Sequence, residues 1–145
     1  LALAIIGGDP ARFAPFAHLY RKSMSDFGHE LLPISIHSPG FVAETDEEAI
    51  ETHWPNHFKM FGRIGRERGW EPMTKEHYLQ EVHHGSLYVG SPETVAKKIA
   101  YAVKSVGVQR FDFKYANGPQ SHSQLMKCLE LYGTKVIPLV KEMLA

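Results

Sequence analysis

A lone cysteine, a balance of charge and the lack of any long apolar run each close off a class of protein. One cysteine, Cys128, rules out a disulfide framework. It falls in a helical pattern with Leu125, Leu129 and Tyr132, so it reads as a buried, inert thiol and not as a nucleophile. The apolar runs are broken within about ten residues, short of the ~20 that a helix needs to cross a bilayer. No membrane is expected, and the chain reads as soluble and cytoplasmic. Sixteen Lys and Arg against sixteen Asp and Glu leave no formal net charge. A basic field for a phosphate backbone is therefore missing, and nucleic acid is not an expected partner. The opening run Leu1 to Ile6 has no basic region before it and no small-residue cleavage site after it, unlike a signal peptide. The expectation is a chain that starts inside a domain.

What is present is a globular composition, 43% apolar and 22% charged, enough for one core over residues 1–145. Leu1 to Ile6 is continuously apolar and closed by Gly7 and Gly8, the pattern of a strand covered on both faces. Asp9 caps a helix with Pro10 at its first position, and Phe13, Phe16, Ala17, Tyr20 and Met24 give it a stripe that ends at Gly28. Leu32 to His37 reads as a second strand, followed by a turn at Ser38, Pro39 and Gly40. The acidic stretch Glu44 to Glu48 opens a long helix, where carboxylates favour the positive end of the dipole. Trp54, Phe58, Phe61 and Ile64 continue its apolar face, and Pro55 is expected to bend or break it.

Periodicity weakens from Gly69 to Gly85, with Thr74 as the cap of a short helix through Val82; residues 70–85 read as an excursion or lid. Ser86 to Gly90 is extended again. Ser91 and Pro92 then open a helix that buries Val95, Ile99, Ala102 and Val103 and stops at Gly107. Phe111, Phe113 and Tyr115 alternate with Arg110, Asp112 and Lys114, a strand period. A final helix runs to the end, carrying Leu125, Cys128, Leu129, Tyr132, Val136 and Leu139 despite the breaks that Gly133 and Pro138 suggest. The alternation implies an α/β fold with a parallel sheet and right-handed crossovers. About three such units are too few to close an eight-stranded barrel.

In order and spacing, five segments resemble the last part of the luciferase-like, flavin-dependent monooxygenase family. They are AIIGGDPARF from Ala4, TDEEA from Thr45, GRERGW from Gly65, LYVGSPETV from Leu87 and GTKVIPLV from Gly133. The resemblance implies the last three βα units of a TIM-type (β/α)8 barrel, at the sixth to eighth strand positions. It also implies flavin mononucleotide (FMN) as cofactor, or the deazaflavin F420 in a sister branch. Much of the family's flavin pocket comes from earlier strands, which these 145 residues do not include.

Barrel sites lie at the carboxyl ends of the strands, so the residues where strand patterns stop are the candidates. His37 is the expected catalytic group, able to hold a proton near neutral pH; the plainer alternative is a rim histidine bonded to a carbonyl. Sulfonate-oxidising relatives place an arginine two residues before such a histidine, where this chain has Ser35. Ser38, Tyr115, Asn117 and Gly118 are expected to meet cofactor or substrate. His83, His84 and Gly85 match the position of a mobile loop that closes over the site in relatives, or else form a solvated turn. Ser91 to Thr94 reads as a capped helix start in preference to a phosphate site, and Gly7-Gly8 as a tight turn. His53 and His57 lie one helical turn apart but lack a third ligand, so no metal is expected.

The leading expectation is part of an FMN-dependent luciferase-like monooxygenase that uses oxygen on a small organic substrate, the fragment alone being inactive. The full-length protein is expected to allow a homo-oligomer. Alternatives are an F420-dependent oxidoreductase, or a non-catalytic fragment or binding module whose exposed sheet edges need a partner chain.

Overall fold

The opening apolar run yields only a three-residue strand, β1 (Ala2–Ala4), because the ladder it joins is short. The computed structural model describes residues 1–145, and its sheet has four strands, all paired in parallel. The others are β2 (Ser35–Val42), β3 (Tyr88–Gly90) and β4 (Arg110–Lys114). β2 is the hub. Its first half pairs with β1 on one side and β4 on the other, which aligns Ala4, His37 and Asp112 in one row. Its last three residues, Gly40 to Val42, pair with β3.

The expected turn at Ser38, Pro39 and Gly40 is therefore strand. Gly40 stands where β2 changes partner, and a Cβ there would collide with the Phe113 ring and the Tyr88 carbonyl. The glycine serves close packing of three strands, a use that sequence punctuation cannot tell from a turn.

Helices cover one face of the sheet. A 3-10 turn at Pro10–Phe13, with Asp9 accepting from the Ala11 amide at 2.9 Å, leads into α1 (Ala14–Asp26). α2 (Asp46–Arg68) starts at Thr45, whose hydroxyl accepts from the Glu48 amide at 3.1 Å. Of the bend or break expected at Pro55, the break does not occur, since α2 runs through it; Asn56 bonds the Thr52 carbonyl through its side chain at 2.8 Å in the same turn. α3 (Lys75–His84) is capped by Thr74 as anticipated. α4 (Pro92–Val106) buries Val95, Ile99, Ala102 and Val106 against the sheet. A side chain of that kind stabilises by about 1.5–3 kcal/mol when fully buried.

The last helix runs to the end past Gly133 and Pro138, as expected. α5 (His122–Leu131) passes through a π-helical turn at Tyr132–Val136 into α6 (Ile137–Leu144). That turn holds Tyr132 stacked on Phe113, ring centres 4.4 Å apart and planes 6° from parallel. Cys128 is fully buried, its sulfur accepts from the Val42 amide at 3.2 Å, and burial pushes the thiol up to about 11. No helix is long and apolar enough to cross a membrane.

Candidate functional site

All four strands run the same way, so their carboxyl ends share one rim. β1 leaves the sheet there through Gly7 and Gly8, the latter at φ +76°. Across the rim, α3 sends Glu81 back to this turn. Both carboxylate oxygens accept from the Gly8 amide at 3.0 Å, and one also accepts from the Ser86 amide at 3.1 Å. The Glu81 side chain is 15% exposed, and Gly85 leaves room for it, since a Cβ there would overlap the carboxylate. The Gly7-Gly8 turn thus holds an anion in this structure, and that anion is the chain's own. A carboxylate on backbone amides is a charge-assisted contact, the strong kind.

Beside it opens a cavity of about 320 Å³ between Ile6, Phe61, Trp70, Met73, His77 and Glu81. Its aromatic wall is ordered by contact: Phe61 and Trp70 lie 5.3 Å apart, and the Arg68 guanidinium sits 5.3 Å from the Trp70 ring centre. An apolar wall bordered by the carboxylates of Glu71 and Glu81 and the His77 imidazole suits a flat, mostly apolar ligand with a polar edge.

The anticipated residues fall in three places. His37 is exposed and lies inside β2, not at its end, because the strand continues to Val42. It points from the face that no helix covers, in register with Asp112, which Arg110 pairs at 2.6 Å. In a closed barrel the helices lie outside, so this is the face turned towards the axis. Ser38, by contrast, is fully buried and donates to the Ile5 carbonyl at 2.8 Å; its hydroxyl is spent on the fold.

Asn117 is likewise buried and ties Gly40 to Lys114 through their carbonyls, at 3.0 and 2.7 Å. Gly118, at φ +123°, lets that loop press on the Asn56 backbone of α2, and Tyr115 is half-buried against the core. His83 and His84 are not in a loop but in the last turn of α3. They line a separate groove of about 430 Å³ with Asp9, Lys97, Lys98 and Tyr101, behind the rim. Lys98 caps α3 from there, donating to the Leu87 carbonyl at 2.8 Å and to the Val82 carbonyl. Burial lowers its ammonium to about 8, against an opposing pull from Glu81.

Glu81 had no role in the sequence reading, where its only trace is a glutamate four residues before Gly85. The pair His53 and His57, weighed there only as metal ligands, is buried inside the α2 and α3 contact and stacked with Tyr78, Phe41 and Phe61. No group of three or more His, Cys, Asp or Glu side chains is placed to hold a metal ion.

No family model matches the sequence, and no curated protein matches it. Solved structures do. The monooxygenase RslO1 from Streptomyces bottropensis superposes with a TM-score of 0.73 at 16% identity, over 94% of this chain and 41% of its own. The oxygenating constituent of 3,6-diketocamphane monooxygenase from Pseudomonas putida, a type II Baeyer-Villiger enzyme solved with FMN, gives 0.70 at 20% identity, over 93% and 42%. The coenzyme F420-dependent tetrahydromethanopterin reductase from Methanopyrus kandleri gives 0.57 at 17% identity, over 94% and 44%. The fold is luciferase-like, and the chain spans less than half the length of these three proteins.

Proposed function

We propose that this chain is the carboxy-terminal portion of a flavin-dependent oxidoreductase, an FMN-dependent monooxygenase of the luciferase-like type acting with oxygen on a small organic substrate. The observation that carries the reading is the Glu81 carboxylate on the Gly8 amide. It marks an anion-receptive turn at the carboxyl end of a parallel strand, beside an aromatic cavity. The amides of Gly7 and Gly8 would hold the cofactor's phosphate, with Glu81 withdrawn. Phe61, Trp70 and Met73 would cover its apolar body and exclude water. The flavin, when bound, supplies the two electrons that oxygen activation needs.

The chain's own residues then have limited tasks. His37, on the axial face beside Asp112, would hold a proton near the substrate. Residues 70–85 would act as a lid: 70–74 has no regular structure, whereas α3 carries the latch to Gly8 through Glu81. F420 in place of FMN fits the same turn, since both carry phosphate. A second reading, a binding module that needs a partner chain, is favoured by the free outer edges of β1 and β4, each of which pairs only with β2.

Fluorescence titration of the 145-residue chain with FMN and with riboflavin tests the proposal. The expected result is saturable FMN binding weaker than ~1 μM, which is about −8 kcal/mol, yet stronger than riboflavin binding. Equal affinity for the two, or no saturation by ~1 mM, overturns the phosphate assignment.

A further inference from the structure

His53 and His57 sit one turn apart on α2, 0% and 2% exposed, with ring centres 5.1 Å apart. Tyr78 of α3 meets Nδ1 of His53 at 2.9 Å. Burial pushes the phenol far above its usual range and keeps it protonated, so the bond runs either way with the His53 tautomer and leaves Nε2 as the ring's other polar atom. That Nε2 has no partner, and neither nitrogen of His57 has one. A buried polar group without a partner costs about 1–3 kcal/mol, and a buried imidazolium costs more.

The surroundings offer such a cation no relief. α2 contributes the aromatic rings of Trp54 and Phe61, β2 contributes Phe41, and α3 contributes Tyr78. The charges acting on the pair are their own and that of Lys114, at the end of β4, which is of the same sign. His77, the residue before Tyr78, and Glu81 pair with each other and face the Gly8 side of α3. α3 itself is lightly held. It buries only Tyr78 and Val82, with Leu79 half-buried beside them, and is otherwise pinned by Glu81 and Lys98.

We propose that His53 and His57 form a proton-operated latch, whose protonation releases α3 from α2 and opens the cavity at the carboxyl end of β1 while the sheet and α4 stay folded. The inference does not depend on the flavin reading. Its direction follows from linkage. Burial, with the neighbouring His57, holds His53 down to about 3; burial, with Lys114, holds His57 down to about 4. A released imidazole titrates at about 6.5. Both rings are neutral in either state above that, so the latch is at full strength there. It is lost as pH falls from about 6.5 towards 4, because only the open state takes up the protons.

Amide exchange from pH 7 to 4.5, corrected for intrinsic rates, tests this in the chain as it stands. Opening of α3 at Tyr78 to Val82 should rise about tenfold per pH unit for each imidazole engaged, with Val95 to Val106 still protected. His57→Met, of similar volume and uncharged, should cut that rise from about a hundredfold to about tenfold per pH unit, the share of His53, and leave Glu81 in place. Three results overturn the latch. They are α3 and α4 losing protection together, α3 opening independent of pH, and a rise with acid that is undiminished in His57→Met. Should that variant fail to fold, ring nitrogen NMR of the wild type decides. Either ring titrating near its ordinary value while α3 stays closed refutes the proposal.

Discussion

Glu81 spans from α3 to the far side of the rim and places both carboxylate oxygens 3.0 Å from the amide nitrogen of Gly8. One side chain thereby closes the helix over the cavity and occupies the turn where an anionic ligand would bind. These two roles oppose each other, which makes the residue informative.

Glu81→Gln should separate them. The amide keeps the shape but loses the charge, so α3 should be held less tightly, by about 1–3 kcal/mol of local stability. FMN, no longer competing with a fixed anion, should bind several-fold more tightly, whereas riboflavin should not. Exchange at Tyr78 reads the first effect and fluorescence titration the second. Unchanged FMN affinity with a loosened α3 would mean that the turn does not receive the phosphate.

Gly40 offers a test of the strand. Gly40→Ala drives a methyl into the Tyr88 carbonyl and a Phe113 ring that Tyr132 already stacks, and neither can move freely. Overpacking of this type costs about 1–3 kcal/mol. Gly133→Ala is the control: it has open space around it inside a helical stretch, so removing a glycine should stabilise by about 0.5–1 kcal/mol. Denaturant melts of both variants give the comparison. A mild Gly40→Ala would support the turn that the sequence suggested.

The difference between those glycines shows what the sequence could and could not carry. Helix starts were legible because their cause is local. Thr74 and Ser91, read as caps, each accept from an amide three residues on, and Asp9 accepts from the Ala11 amide. The strand through Ser38, Pro39 and Gly40 was not, since its reason is the passage of Tyr88 and Phe113, which are distant in the chain. Pro55 likewise stays helical within α2, where the buried Ala49, His53 and His57 give the helix a tertiary seat. The site was less legible than the fold. His37 was visible, but its setting in mid-strand beside Asp112 was not, and Glu81 acquires meaning only when α3 folds back over Gly8.

Cys128 should behave as packing. Its thiol is fully buried and pushed up to about 11, so Ellman's reagent should react only as fast as the chain opens globally. Cys128→Ser places a hydroxyl in the core beside the Val42 amide and should cost about 1–3 kcal/mol. Rapid labelling under native conditions would contradict the burial.

His37 makes the opposite case. It is exposed, and its side chain has no recorded hydrogen bond, so His37→Ala should change the stability of this chain by no more than about 0.5 kcal/mol. The same substitution in a complete barrel should lower turnover, because on the proposed reading the row Ala4, His37, Asp112 would face the axis where a substrate would lie. Asp112→Asn, which leaves the imidazole in place but removes the neighbouring carboxylate, should cost turnover less than His37→Ala does. Loss of stability in His37→Ala would mark the imidazole as part of the fold. Wild-type turnover in that variant would leave the axial row without a chemical task.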